Sequence, residues 1–275
     1  MTGRVSRRVL PGFGLSLSFA IVYLSLLVLI PLGACLVKAA SLGLPEFLAA
    51  AWTPRARAAY ALTFGVALAA ALVNVLLGTV VGWTLVRYDF PGKRFIDALV
   101  DVPLALPTAV AGLVYASLYA KTGWIGQYLE PLGIQVAYSR LGIVLVLVFT
   151  GFPFVVRTIQ PVLTDLDAEV EEAAAVLGAG RWQTFRRVIL PTLVPPALTG
   201  FALAFARGLG EYGSVVFISS NRMFETEIAP MLVLVRLEEF AYAEGAAIAT
   251  VLLAFSFLVL GVVNYLEWRS KRYAV

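Results

Sequence analysis

The sequence contains no histidine and a single cysteine, Cys35. Without histidine there is no imidazole to move protons near neutral pH and none to ligate a metal. One cysteine cannot close an internal disulfide or build a cysteine cluster. Charge is scarce as well: Asp, Glu, Lys and Arg make up 14% of the 275 residues, where soluble proteins carry about 25%. No G-x4-G-K-[ST] segment occurs, so the chain lacks the phosphate-cradling loop of a P-loop ATPase. Scarce charge together with an apolar content of 60% excludes an ordinary soluble enzyme, a disordered chain and a nucleic-acid module.

Apolar residues, by contrast, are abundant at 60%. A single domain of this size cannot bury so much apolar surface, so much of it must face lipid. A spanning helix needs about 20 mostly apolar residues. Six stretches approach that length: Phe13 to Val37, Ala58 to Val86, Val102 to Ala120, Leu141 to Val156, Leu193 to Phe217, and Gly245 to Leu266. The pattern predicts an all-α membrane protein, one transmembrane domain over residues 1–275, with its longest polar loop over 157–191.

Lys and Arg near the span ends set the orientation. One set of flanks holds 13: Arg4, Arg7, Arg8, Arg87, Lys93, Arg94, Arg157, Arg181, Arg186, Arg187, Arg269, Lys271 and Arg272. The other holds 7: Lys38, Arg55, Arg57, Lys121, Arg140, Arg222 and Arg236. The richer side is the cytoplasm, so both termini are expected there, and the net charge of +4 falls on that side. Leu32-Gly33-Ala34-Cys35 resembles a lipoprotein signal. Cleavage there would remove the first span and break this parity, and the apolar run exceeds the roughly 7–15 residues of a signal core. Cys35 is therefore read as an inert residue near the outer end of the first helix.

The long inner loop reads RTIQPVLTDLDAEVEEAAAVLGAGRWQTFRRVILP. Thr164 with Asp167 fits a capping box that would start a helix. Leu166, Val170, Ala173 and Leu177 then fall on one helical face. Gly178 and Gly180 suit the helix end, and a second short helix is expected from Arg181 to just before Pro191. Pro195 and Pro196 are expected to mark the turn from the loop into the fifth span. Such a hairpin either packs under the bundle or docks another protein.

Glu172-Ala173-Ala174, Gly178, Val188, Leu190 and Pro191 match E-A-A-x3-G-x9-I-x-L-P, with Val188 in place of Ile. The pattern resembles the EAA loop of binding-protein-dependent ABC importer permeases. The segments SRRVLPGF, RYDFPGKRFIDALVDVPLALPTAVAGL, FPFVVRTIQPVL and RGLGEYGSVVFIS further resemble the T-type permease subunits of bacterial sulfate/thiosulfate importers. That resemblance implies the type I importer permease fold of about six spans in the bacterial inner membrane. It implies that Glu171, Glu172, Ala173, Ala174, Leu177, Gly178, Val188, Leu190 and Pro191 couple the chain to an ATPase. It implies as partners a second, W-type permease subunit, two ATPase subunits that carry ATP and Mg, and a periplasmic sulfate- or thiosulfate-binding protein. No cofactor, metal or nucleic acid is expected on this chain itself.

Ionisable residues at membrane depth are expensive and point to function. Arg207 and Glu211 sit four apart in the fifth expected span, on one face. They are either a self-neutralising structural pair, or Arg207 supplies positive potential to an anion path while Glu211 helps form a gate with Tyr212 and Gly213. Pro103 and Pro107 should kink or break the third span, with Thr108 next to the break as a wall residue. Asp97 follows Lys93 by four and is expected to pair with it. The apolar run Met231 to Val235 is too short to span and is expected to form an interfacial or re-entrant helix. Two other readings stand: a homodimeric molybdate or tungstate permease, which carries a similar G-E-[FY]-G segment, and a secondary transporter or membrane enzyme.

Overall fold

The computed structural model describes residues 12–271; Arg4, Arg7, Arg8 and Arg272 lie outside the described residues. Among the described residues there are helices, turns and irregular chain, and no strand. In order, the main helices are α1 Phe13–Ala40, α2 Leu44–Ala51, α3 Pro54–Arg87, α4 Lys93–Val100, α5 Thr108–Tyr119, α6 Arg140–Thr164, α7 Ala168–Val176, α8 Arg181–Leu209, α9 Ala229–Glu238 and α10 Tyr242–Lys271. Of these, α1, α3, α6, α8 and α10 are long and apolar enough to cross a membrane.

The third expected span, Val102 to Ala120, is not one helix. It is a single turn Val102–Ala105 followed by the twelve-residue α5, with the separate helix α4 ahead of it. At about 1.5 Å per residue α5 alone is too short for a hydrocarbon core of about 30 Å. The interruption has a local cause. Leu106 is extended (φ −81, ψ 130) because the ring of Pro107 excludes the α conformation from the residue before it.

Other boundaries shift for equally local reasons. The fourth span continues past Val156 to Thr164, with Pro153 and Pro161 inside it. Thr164 thus ends α6, where its hydroxyl donates to the Gln160 carbonyl at 2.9 Å. It does not cap α7, which starts after Asp167 without a side-chain cap. The expected short helix ending before Pro191 runs on instead into the fifth span as α8, and Pro195 and Pro196 lie inside that helix. A π turn at Phe185–Ile189 precedes Pro191. The extra residue in such a turn relieves the clash between a proline ring and the carbonyl four residues back. At the other end α8 stops at Leu209, well short of Phe217, and Gly210 caps it.

The core lies where α3, α6 and α8 meet. Ala67 and Ala71 of α3, Val155 and Ile159 of α6, and Leu193, Ala204 and Phe205 of α8 form one buried cluster. Small residues permit this approach, as is usual where lipid supplies no hydrophobic drive between helices. A Cβ on Gly78 would lie 2.8 Å from Val155 Cβ, and one on Gly200 would lie 2.9 Å from Val155 Cα. Val155 is thus gripped from both neighbours and fully buried. By contrast, no residue of Phe13–Leu24 is buried. Cys35 is half-buried, with its thiol 4.0 Å from the Ala246 carbonyl oxygen on α10. The short helix expected around Met231 is α9; Ala229 and Leu232 bury against Tyr60 and Ile248.

Candidate functional site

The hairpin between α6 and α8 is built to stand clear of the bundle. Glu169 and Glu171 lie in the first turn of α7, where carboxylates complement the helix dipole. The helix stops at Gly178, whose φ is +81. The Gly178 N–H donates to the Ala175 carbonyl at 2.9 Å and the Ala179 N–H to the Ala174 carbonyl at 3.0 Å, the bond pair of a Schellman end. No residue of α7 is buried. Of the predicted apolar face, Leu166 packs against the core. Val170 is 45% exposed, Leu177 88%, and the adjacent Val176 87%. Glu172 and Ala173 are exposed and Ala174 is half-buried; Val188 is half-buried, while Leu190 and Pro191 are exposed. The apolar face therefore does not close onto the bundle. Replacing Gly178 with Val forces a β-branched residue into left-handed backbone and is expected to cost about 1–2 kcal/mol locally. Hydrogen exchange should rise in residues 168–180 and stay unchanged in α3.

Beneath the hairpin, Glu171 forms an ion pair with Arg87 Nη2 at the C-terminal end of α3. The Arg87 guanidinium also lies over the Trp83 ring, 5.3 Å from its centroid.

A second charged group ties α4 to α6. Arg157 Nε donates to Asp101 Oδ1 at 2.9 Å and Nη2 to Asp101 Oδ2 at 2.6 Å. Arg157 Nη1 donates to Asp97 Oδ1 at 2.7 Å, and Gln160 Nε2 donates to the same oxygen at 2.9 Å. Asp97 therefore does not pair with Lys93, as its spacing predicted; Lys93 turns back to Asp89 at 2.9 Å. The planar guanidinium offers a fork that matches carboxylate geometry, which an ammonium cannot. The Gln160 amide and then Arg157 hold the Asp97 carboxyl below the usual carboxylate range, against the opposing effect of burial.

The third feature is a contact between two interrupted helices. Glu211 lies past the end of α8, off the helix on which its spacing placed it. Its Oε2 is 2.5 Å from Arg207 Nη1, an ionic contact without hydrogen-bond alignment. Its Oε1 accepts from the Ser214 N–H at 2.9 Å and the Ser214 hydroxyl at 2.8 Å. Glu211 is 2% exposed, so its charge is met by Arg207 and its remaining oxygen staples the irregular segment before the turn Val215–Ile218. Tyr212 and Gly213 lie half-buried within that segment. This segment meets the break in the third span: a Cβ on Gly112 would lie 2.3 Å from the Ser214 carbonyl oxygen, and one on Gly213 would lie 2.3 Å from Thr108 Oγ1. Pro103 is buried, whereas Pro107 is exposed. Replacing Glu211 with Ala leaves Arg207 and the Ser214 donors without their partner and is expected to cost about 2–4 kcal/mol. Thermal unfolding in detergent measures it.

Five long apolar helices, an interrupted apolar segment between α3 and α6 and an uncovered hairpin define a helical membrane protein of the permease class. The chain belongs to the family described as binding-protein-dependent transport system inner membrane component, whose model matches residues 74–272. It is 54% identical over 254 residues to the sulfate transport system permease protein CysT of a Synechocystis species, covering 92% of this chain and 89% of the relative. It is 46% identical over 270 residues to the protein of that name in Escherichia coli strain K12, covering 98% of both. In fold it is similar to a bacterial ABC transporter involved in the import of the acidic polysaccharide alginate, with a TM-score of 0.75 at 15% identity over 94% of this chain and 96% of that one.

Proposed function

We propose that this chain is the T-type permease subunit of an ATP-driven importer that moves sulfate or thiosulfate into the cytoplasm. The substrate reading rests on the relatives named sulfate transport system permease protein CysT, two of which match over about nine-tenths or more of their length. The observation that carries the mechanism is the α7 hairpin: a helix with no buried residue, an uncovered apolar face, and Glu172-Ala173-Ala174 followed by Gly178. Small alanines let another backbone approach, and the glutamates meet basic groups there. In this reading the hairpin seats on one of two ATPase subunits, which hold ATP and Mg, while a W-type permease completes the pathway. A periplasmic sulfate- or thiosulfate-binding protein selects the anion. Both termini then face the cytoplasm, as the distribution of Lys and Arg requires.

The membrane path needs only weak, transient anion contacts, since conduction demands easy release. Arg207 is already neutralised by Glu211, which favours the structural role for that pair. The path is instead walled by the paired breaks at Leu106–Pro107 and Gly210–Ser214, whose unwound backbone sits at a depth tolerated where it lines a cavity or is buried in protein.

Replacing Ala174 with Arg should abolish assembly with the ATPase and lower uptake by about tenfold or more, the loss of a central interface contact. Normal assembly and uptake together would refute the docking. Competition uptake should show sulfate and thiosulfate displacing labelled sulfate, and molybdate failing to do so.

A further inference from the structure

Two arginines join the inner elements to the bundle, and they do so differently. Arg157 grips Asp101 through two parallel hydrogen bonds and reaches Asp97 as well. That geometry fixes α4 against α6 in one orientation. Arg87 holds Glu171 through Nη2 alone, and its buried Nε has no hydrogen-bond partner. The guanidinium is kept in place by the Trp83 face. Trp83 in turn meets Phe185 edge-on at 5.9 Å, and Phe185 stacks on Trp182 at 5.5 Å. One side chain therefore connects the C-terminal end of α3, the first turn of α7 and, through the rings, the first turns of α8.

We propose that the Arg87–Glu171 pair is a pivot through which displacement of α7 is passed to α3, making Arg87 a positioning residue for energy coupling. This rests on the reading of the chain as an ATP-driven permease. A one-point ionic contact lets α7 turn about it without detaching. With no buried residue, α7 has no apolar anchor of its own to do this. Without Arg87, α7 still continues into α8 through the chain, so the ATPase would still move α8 while α3 lags.

The test is the complete complex, with the second permease, ATPase and binding protein, reconstituted in liposomes. Sulfate uptake and ATP hydrolysis are measured on the same vesicles. Replacing Arg87 with Ala should leave ATP hydrolysis in place and lower the sulfate moved per ATP by about five-fold or more, the lower end of typical coupling between sites. Exchanging the charges (Arg87→Glu with Glu171→Arg) should restore the ratio to within about two-fold of the parent. The pivot is wrong if Arg87→Ala moves as much sulfate per ATP as the parent, or if the exchanged pair is no better than the single changes. If Arg87→Ala assembles poorly, the exchanged pair decides: restored assembly and coupling support the pivot, and failure of both overturns it. A parent complex that moves no sulfate with ATP overturns the functional reading itself, and the pivot with it.

Discussion

Replacing Gly112 with Ala should lower the melting temperature sharply, and no side-chain change elsewhere should restore it. The added Cβ would lie 2.3 Å from the Ser214 carbonyl oxygen, 2.8 Å from its Cα and 2.9 Å from its carbonyl carbon. All three are backbone atoms, so relief requires α5 to move away from the stapled segment after α8. Overpacking of that kind costs about 3 kcal/mol or more at a rigid contact, a large part of the about 5–15 kcal/mol by which a domain is stable. Gly213→Ala provides the contrast. Its Cβ meets Thr108 Oγ1 at 2.3 Å but Thr108 Cβ only at 3.4 Å. That clash is with a hydroxyl that Thr108→Ala removes. The double variant Gly213→Ala with Thr108→Ala should therefore melt close to the parent, while Gly112→Ala with Thr108→Ala should not. Thermal unfolding and recovery after membrane extraction measure both. Equal rescue of the two would show that the broken helices do not meet backbone to backbone.

Loss of Arg157 should also destabilise the folded chain, and in a pH-dependent way. Without it, Asp97 and Asp101 stand one turn apart with no shared cation. Removing one partner of a buried pair costs about 3–5 kcal/mol. Here the three side chains are 34%, 42% and 48% exposed, so solvent screening brings the expected cost of Arg157→Ala to about 1–2 kcal/mol. Adding Asp97→Asn and Asp101→Asn should recover most of it, because the like-charge repulsion then disappears. The pH dependence follows from Asp97, whose carboxyl is held low in the folded protein by the Gln160 amide and Arg157. A carboxyl depressed on folding contributes stability that is fully present above its unfolded pKa of about 3.9 and is lost as pH falls through the folded value. The parent's melting temperature should thus be flat between about pH 5 and 8 in this respect and fall below about pH 4. In Arg157→Ala the depressing cation is gone, so its deficit relative to the parent should shrink as the pH is lowered. A deficit that stays constant with pH would remove the carboxylates from the explanation.

Much of this protein was legible in the sequence because the bilayer is a simple solvent. Apolar runs long enough to span mark helices irrespective of their neighbours, since backbone polar groups in lipid must be satisfied internally. The break before Pro107 was equally legible, because the ring acts on the residue next to it. So was the end of α7 at Gly178, whose positive φ suits glycine. Charge partners were not legible. Asp97 was four residues from Lys93, yet Arg157, sixty residues on, took it. One signal was present: Asp97 and Asp101 share a helix face at a membrane edge, which calls for a cation from elsewhere. Likewise Arg87 counted only toward orientation, although it lies under the hairpin it holds.

What the sequence determined by itself was the medium, most of the long helices, the break before Pro107 and the hairpin motif with its glycine end. All of these follow from interactions within a few residues or with lipid. Tertiary structure alone decided that the hairpin's apolar face stays uncovered, that the breaks in the third and fifth crossings press together at Gly112 and Ser214, and that Glu211 faces inward to staple its own segment. Those outcomes depend on which surfaces remain after α3, α6 and α8 have packed, and side chains distant in sequence compete for the same partner only once that packing brings them within reach.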